Sequence, residues 1–358
     1  MPTNKKRIPF IDICKGIAMI LVIMGHCKFL PREMHCIIYS FHMPLFFAAS
    51  GYTFSTRKKF KDFFVSKLKG FILPYFCLCF ILYFFHDILL RGFFKVGRAK
   101  AINHIIGIFL GYNTTPYYFS MWFLLVTFVA ELILYWIIKS TDKLKFKGVI
   151  YIILTLTAPL ISFTLVKSGV KGSPWSLHLV PVAIGFITMG YVLRMYSEQL
   201  KKLCSWFSFA VLGTANVILS YFNSKKLTVS TGLFGGNFGN YYLFMGAALC
   251  GVCAVMILCV KIKNCDFLEY IGKNSIVYYA FQNDLFIPLL SYYILKLNKV
   301  AGVSSNELNL IFVVVFSCFG LAIFSEIIKN CIPFVLGKFE KPPVICYLEK
   351  AFSKNKKA

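Results

Sequence analysis

The sequence predicts an all-α, polytopic integral membrane protein of about ten transmembrane helices, and three observations carry that prediction. Hydrophobic residues make up 58% of the 358 positions and charged residues only 15%, far from the balance of a water-soluble domain. Mean hydropathy is +0.71. Apolar runs of bilayer-crossing length, about 20 residues each, recur along the whole chain with charge clusters between them. They leave no room for a sizeable soluble domain, so residues 1–358 read as one membrane-embedded domain.

Taken in order, the runs place spans near 8–27, 36–55, 71–90, 122–138, 148–166, 177–195, 204–222, 241–260, 274–295 and 309–330. The first carries Asp12 and Lys15 and lacks a small-residue cleavage site, which reads as a retained helix rather than a removed leader. The second, IIYSFHMPLFFAASGYTF, contains Pro44 and Gly51, which let a helix bend and let a neighbour approach closely. Residues 101–112 are too short to span and read as an interfacial or re-entrant piece. Trp122, at the start of the fourth span, reads as an interfacial anchor.

Thirty-nine basic residues test the map, because loops retained in the cytoplasm are enriched in Lys and Arg. With the N-terminus inside, 26 fall on the inner side, 12 on the outer side, and Lys15 lies within the membrane. Lys5, Lys6 and Arg7 before the first span agree with Lys350, Lys354, Lys356 and Lys357 after the last. Both termini are therefore expected in the cytoplasm, with the chain in the cell membrane. The net charge of +25 follows this topology and the attraction of anionic lipid headgroups rather than a nucleic-acid partner. The densest inner cluster, which includes Lys67 and Lys69, is a candidate receiver of a phosphorylated donor.

Thirteen cysteines lie mostly inside spans and read as small packing residues, not as a disulfide framework. Cys250 and Cys253 have redox-motif spacing but no neighbouring charge, so no metal or redox site is expected there.

The candidate chemistry lies in the first two spans. Along a helix, Lys15 and His26 are almost three turns and roughly 16 Å apart on one face, and Asp12 lies one turn before Lys15 on the same stripe. Ionisable groups in hydrocarbon cost several kcal/mol, roughly 2.5 to 3.5 at a helix centre, so they normally face a protein interior and find partners. The bland alternatives are a self-satisfied Asp12–Lys15 ion pair and a His26 ring in the headgroup layer. His42, on the next helix, meets the same leaflet as His26.

The motifs RIPFIDICKGIAMILVIMGH, IYSFHMPLFFAASGY, FILPYF, MWFL and IGKNSIVYY occur in an order that resembles membrane-bound acyltransferase family 3, in particular its fucose 4-O-acetylase-like group. The resemblance covers essentially the whole chain and is strongest over residues 7–76. It implies a ten-helix enzyme that moves an acyl group, usually acetyl from cytoplasmic acetyl-CoA as co-substrate with no bound cofactor, to a hydroxyl of a carbohydrate or cell-surface glycan. It also implies that a basic residue and a histidine with ten residues between them in the first helix serve activity, here Lys15 and His26. Two departures stand out. Lysine replaces the more frequent arginine at position 15, and Gln282 stands where the Ser-Leu-x-x-Tyr-x-x-His pattern, here beginning at Ser275, often has histidine.

Acyl transfer to a sugar hydroxyl needs a general base and a donor to the developing oxyanion. His26 serves as base with His42 orienting the acceptor or stabilising the oxyanion, or the two roles are exchanged, while Asp12 and Lys15 line the donor's route. Glu131, Ser275 and Gln282 are candidate cavity-lining residues; Asp284 and Glu326 line the same cavity or make helix–helix contacts. A transporter or flippase using Asp12, Lys15, Glu131 and Asp284 is the rival from another class, although no internal repeat accompanies it. A scaffold without chemistry leaves the polar stripe unexplained.

Overall fold

The computed structural model describes residues 8–111, 118–170, 172–225, 232–302, 305–339 and 342–345. It is helical throughout these residues, with no strand beyond one isolated bridge between Gly232 and Asn237. The principal helices are α1 (Pro9–His26), α2 (Arg32–Thr53), α3 (Phe60–Leu89), α4 (Arg98–Leu110), α5 (Tyr118–Thr141), α6 (Lys147–Lys167), α7 (Val180–Met195), α8 (Trp206–Lys225), α9 (Tyr241–Ile262), α10 (Asp266–Lys273), α11 (Ser275–Phe281), α12 (Ile287–Ala301) and α13 (Asn306–Cys331).

Helix occupies all ten segments marked as spans in the sequence. Among the described residues, seven helices are long and apolar enough to cross a membrane, and an eighth appears when Ser197–Leu203 and α8, bent by 88°, are taken together. The second and ninth segments fall outside that count. Helix α2 carries Arg32, Glu33, His35, Ser40 and His42 in its first eleven residues, and the ninth segment is divided into α11, a π-helical turn at Gln282–Phe286, and α12.

Four features depart from the sequence reading. Helix α3 begins at Phe60, well before the apolar run, because Phe60, Phe63, Phe64 and Lys67 place an amphipathic face against α5; Phe60 and Phe63 stack on Tyr135 at 5.4 and 4.7 Å. Trp122 is not at an interface: it is buried, with Phe47 and Phe234 at 6.4 and 5.8 Å. Helix α2 runs uninterrupted through Pro44, and α10 is an amphipathic helix that no apolar run announces.

Apolar side chains such as Ile153, Ile161, Phe207, Val211 and Phe319 cover the outside of the bundle, the surface that hydrocarbon would wet. Lipid removes the hydrophobic drive between helices, so close packing and interhelical hydrogen bonds must hold them. Two glycine pairs supply the first. Gly16 of α1 lies on the Leu268 carbonyl of α10 while Gly272 of α10 lies on the Asp12 carbonyl of α1, and a methyl group at either would overlap that backbone. Gly51 and Gly190 join α2 to α7 in the same reciprocal way, against Ile187 and Ala48. The second comes from a buried polar knot: Asn216 of α8 donates to Ser40 of α2 at 3.0 Å and to the Ala247 carbonyl of α9 at 2.8 Å, and Ser220 donates to Ser40 at 3.0 Å.

These contacts set α1 and α2 side by side and antiparallel at the centre of the bundle. Tyr39 packs beside His26 at one end, with ring centroids 6.2 Å apart, and Phe10 packs on Tyr52 at the other, at 5.0 Å. All twelve described cysteines are free thiols.

Candidate functional site

The paired helices bring the predicted histidines to one place. His26 ends α1, half-buried, and His42 is fully enclosed within α2. Tyr39 stands between them, its ring 6.2 Å from His26 and 4.6 Å from His42, and its hydroxyl reaches the Gly25 carbonyl at 3.3 Å. His35 stacks on the other face of Tyr39 at 3.8 Å. Residues 35, 39 and 42 follow helical spacing, so one face of α2 presents all three rings to the end of α1.

The imidazole of His42 has a fixed tautomer. Its Nδ1 lies 2.8 Å from the Ile38 carbonyl, and because a carbonyl only accepts, Nδ1 carries the proton. Nε2 then holds the lone pair, the state a base or acceptor must have.

His26 opens into a cavity of about 710 Å³ that is also lined by Lys28, Asn283, Ser291, Lys296 and Lys299. One residue before Asn283, Gln282 is completely buried at the start of the π-helical turn, and among the described residues neither its Nε2 nor its Oε1 has a hydrogen-bond partner. The turn packs against α1. A π-helical register displaces side chains from the normal stripe and frequently marks functional positions. Asp284, in the same turn, is buried and accepts from Asn283 at 3.1 Å.

Asp12 and Lys15 lie at the opposite end of α1, half-buried where α10 crosses it at Gly272. Ser275, half-buried at the start of α11, follows directly on that crossing, and Gln282 lies seven residues further along, toward the cavity. The sequence-predicted residues therefore divide between two ends of the α1–α11 seam.

Lys67 and Glu131 form a separate unit. Glu131 of α5 is 1% exposed; it pairs with the Lys67 ammonium and accepts from Ser50 of α2 at 2.6 Å. The same ammonium faces the rings of Phe54, Phe63 and Phe71 at 5.9, 5.2 and 5.4 Å. Glu131 is thus a helix-joining partner of Lys67 and Ser50, and Lys67 is enclosed by its own partners. Lys69 is exposed and lies over Phe339 at 4.8 Å. Glu326 joins helices as well: Tyr270 of α10 donates to it at 2.6 Å and Lys329 at 2.6 Å. Burial first, then that carboxylate, raises the Tyr270 hydroxyl above its ordinary pKa.

Two groupings were not legible beforehand. Tyr39 resembles any tyrosine in an apolar run until His35 and His42 are placed on its face. His86, Asp87 and His104 form a buried cluster, with His104 Nδ1 3.0 and 3.1 Å from the two Asp87 oxygens and His86 Nδ1 3.5 Å from one of them. The adjacent His-Asp pair at the end of an apolar run was its only signal. The cluster fastens α4 across α3, helped by the Tyr75 hydroxyl on the Ile108 carbonyl at 2.9 Å.

Among the described residues, no group of three or more His, Cys, Asp or Glu side chains has an arrangement able to hold a metal ion. A family model described as an acyltransferase domain matches residues 8–326, nearly the entire chain. Searches of curated proteins and of solved structures gave no match.

Proposed function

The chain belongs to that acyltransferase family, acyltransferase family 3, and from this premise we propose that it transfers acetyl from cytoplasmic acetyl-CoA to a hydroxyl of a carbohydrate or cell-surface glycan. The observation that carries the reading is the meeting of His26 and His42 about Tyr39 at the edge of a cavity. His26 lines that cavity and His42 does not. His26 is therefore the base.

In the proposed reaction the acceptor O–H gives its proton to His26 as its oxygen attacks the thioester carbonyl. The tetrahedral oxyanion receives a hydrogen bond from the Gln282 amide, whose donor has no other partner among the described residues. Collapse breaks the C–S bond, and the proton on His26 passes to the departing thiolate, leaving CoA and the new ester. His42, held in one tautomer by Ile38, orients the acceptor with Tyr39. At the far end of α1, Lys15 attracts the phosphates of the donor and Asp12 holds Lys15 in place. Ten spans with both termini cytoplasmic would put that end on the side where CoA thioesters are made.

Family membership already favours an enzyme over a transporter, and the closure of Glu131 by Lys67 and Ser50 removes one of the charges a transport path required. The test is purified protein in vesicles supplied with acetyl-CoA and a panel of glycosides, read as free CoA and as acetyl ester by mass spectrometry. Ester formation that depends on His26 supports the reading. CoA release with water as the sole acceptor, unaffected by any glycoside, overturns it. Terminal tags on intact cells test the orientation: an accessible C-terminal tag with a protected N-terminal one contradicts the even-span map.

A further inference from the structure

The cavity beside His26 has a charge pattern that a neutral sugar would not need. Lys28 enters from the loop after α1, and Lys296 and Lys299 from successive turns of α12, spaced three residues apart so that both face the same opening. Among the described residues no aspartate or glutamate lines the cavity. Among the described residues none of the three ammonium groups has a carboxylate within ion-pair distance, whereas Lys147, Lys201, Lys273 and Lys329 each have one. The Lys28 ammonium lies over the ring of its neighbour Phe29, at 5.5 Å.

A second, independent observation lies deeper in the same cavity. Ser291 is 5% exposed and among the described residues its hydroxyl has no hydrogen-bond partner, although buried hydroxyls are almost always paired. It lines the cavity between Asn283 and the two lysines of α12. A donor left unpaired at the wall of a cationic cavity is positioned for an oxygen that arrives with a ligand.

We infer that this cavity binds an anionic group, a carboxylate or phosphate, carried by the acceptor close to the hydroxyl that is acylated. The inference rests on the acyl-transfer reading above, because His26 is what makes the cavity an acceptor site. The acceptor anion sits among Lys28, Lys296 and Lys299 with Ser291 donating to it, and the reacting hydroxyl reaches His26. The phosphates of acyl-CoA have the same chemistry. They belong at the Lys15 end, eleven residues along α1 from the histidine that lines this cavity.

The purified protein in detergent tests this by binding, apart from turnover. Methyl glucuronide and glucose 6-phosphate are compared with methyl glucoside, and acetyl-CoA is titrated in parallel, using ligand-dependent thermal shift. The anionic sugars should bind about tenfold or more tighter than the neutral one, with affinity falling as salt rises. The K28Q/K296Q/K299Q variant changes exposed side chains and should melt like the parent without ligand. It should lose that preference, about two- to fivefold per lysine, while acetyl-CoA affinity stays the same. Equal affinity for the anionic and neutral sugars, or no binding of either anionic sugar, overturns the inference. Loss of acetyl-CoA binding in the triple variant also overturns it and assigns the cavity to the donor. Ester formation is scored separately, so failure here leaves acyl transfer itself standing or falling on its own assay.

Discussion

Two lysine-bearing regions, toward opposite ends of α2, use the same side chain in opposite ways. Around Lys67 the ammonium meets a buried carboxylate, Ser50 completes that carboxylate, and three phenylalanine rings close the rest. Around His26 three lysines face a cavity that, among the described residues, has no acid in its lining and a serine hydroxyl without a partner. An ion held near hydrocarbon is tolerated once its partners are inside the protein. The charges of the first region are met inside the protein, and among the described residues those of the second are not. Partner count, rather than charge, separates a joint from a site.

The strongest way to break the comparison is to remove the imidazole at the open end. His26→Ala should lower turnover by about 10²- to 10⁴-fold if it transfers the proton, with insertion and purification unchanged because the ring ends its helix. His42→Ala should also impair the enzyme, and higher acceptor concentration should offset part of that loss. Turnover at saturating donor and acceptor, for both variants in one membrane preparation, decides between them. Near-parental turnover in His26→Ala beside an inactive His42→Ala would move the base to α2.

Gln282 sharpens the distinction, since among the described residues its buried amide has no partner, whereas a structural amide would have one. Gln282→Leu keeps most of the volume and removes an unsatisfied polar group. Melting temperature should hold or rise, while kcat falls by roughly 10²-fold through loss of an oxyanion donor. A variant that melts lower and turns over normally would make Gln282 a packing residue.

At the closed end the readout should be stability. Glu131→Gln leaves Lys67 without its charge partner, at a cost of roughly 3 kcal/mol, seen as a lower melting temperature in detergent. Adding Lys67→Met should recover most of it, because an apolar chain suits the three rings. If the single variant melts normally but loses donor affinity, Glu131 and Lys67 belong to the site after all.

The fold was readable wherever long apolar runs stood between charges, as in α1, α6, α9 and α13. It was not readable where helix continued under polar residues. Helix α3 starts among lysines, and α10 is short and charged on one face. The break at Gln282–Phe286 arises from a change of helical register that hydropathy does not record. For the site, His26 and His42 were conspicuous as imidazoles in apolar helices. Tyr39, and the choice of Glu131 as the partner of Lys67, depended on which helices become neighbours. The glycine pairs decide that: Gly16 with Gly272 and Gly51 with Gly190 are small in sequence and select α10 and α7 as the neighbours of α1 and α2.

The smallest expected effect concerns Lys69, the second lysine of the same cluster. Unlike Lys67 it is exposed, and its ammonium rests on Phe339 alone among the described rings. Such a cation attracts a phosphorylated donor through solvent and is screened by salt. Lys69→Gln should raise the KM for acetyl-CoA by about two- to fivefold at low ionic strength and leave kcat unchanged, with the difference shrinking as salt is added. Lys67→Gln should not copy that pattern, because its first consequence is an unpaired Glu131 and a less stable protein. The two variants, assayed for donor KM at two salt concentrations and melted in parallel, separate attraction of a ligand from closure of a helix joint. If both raise KM equally and neither lowers the melting temperature, Lys67 is available to the donor and the contrast between the two regions does not hold.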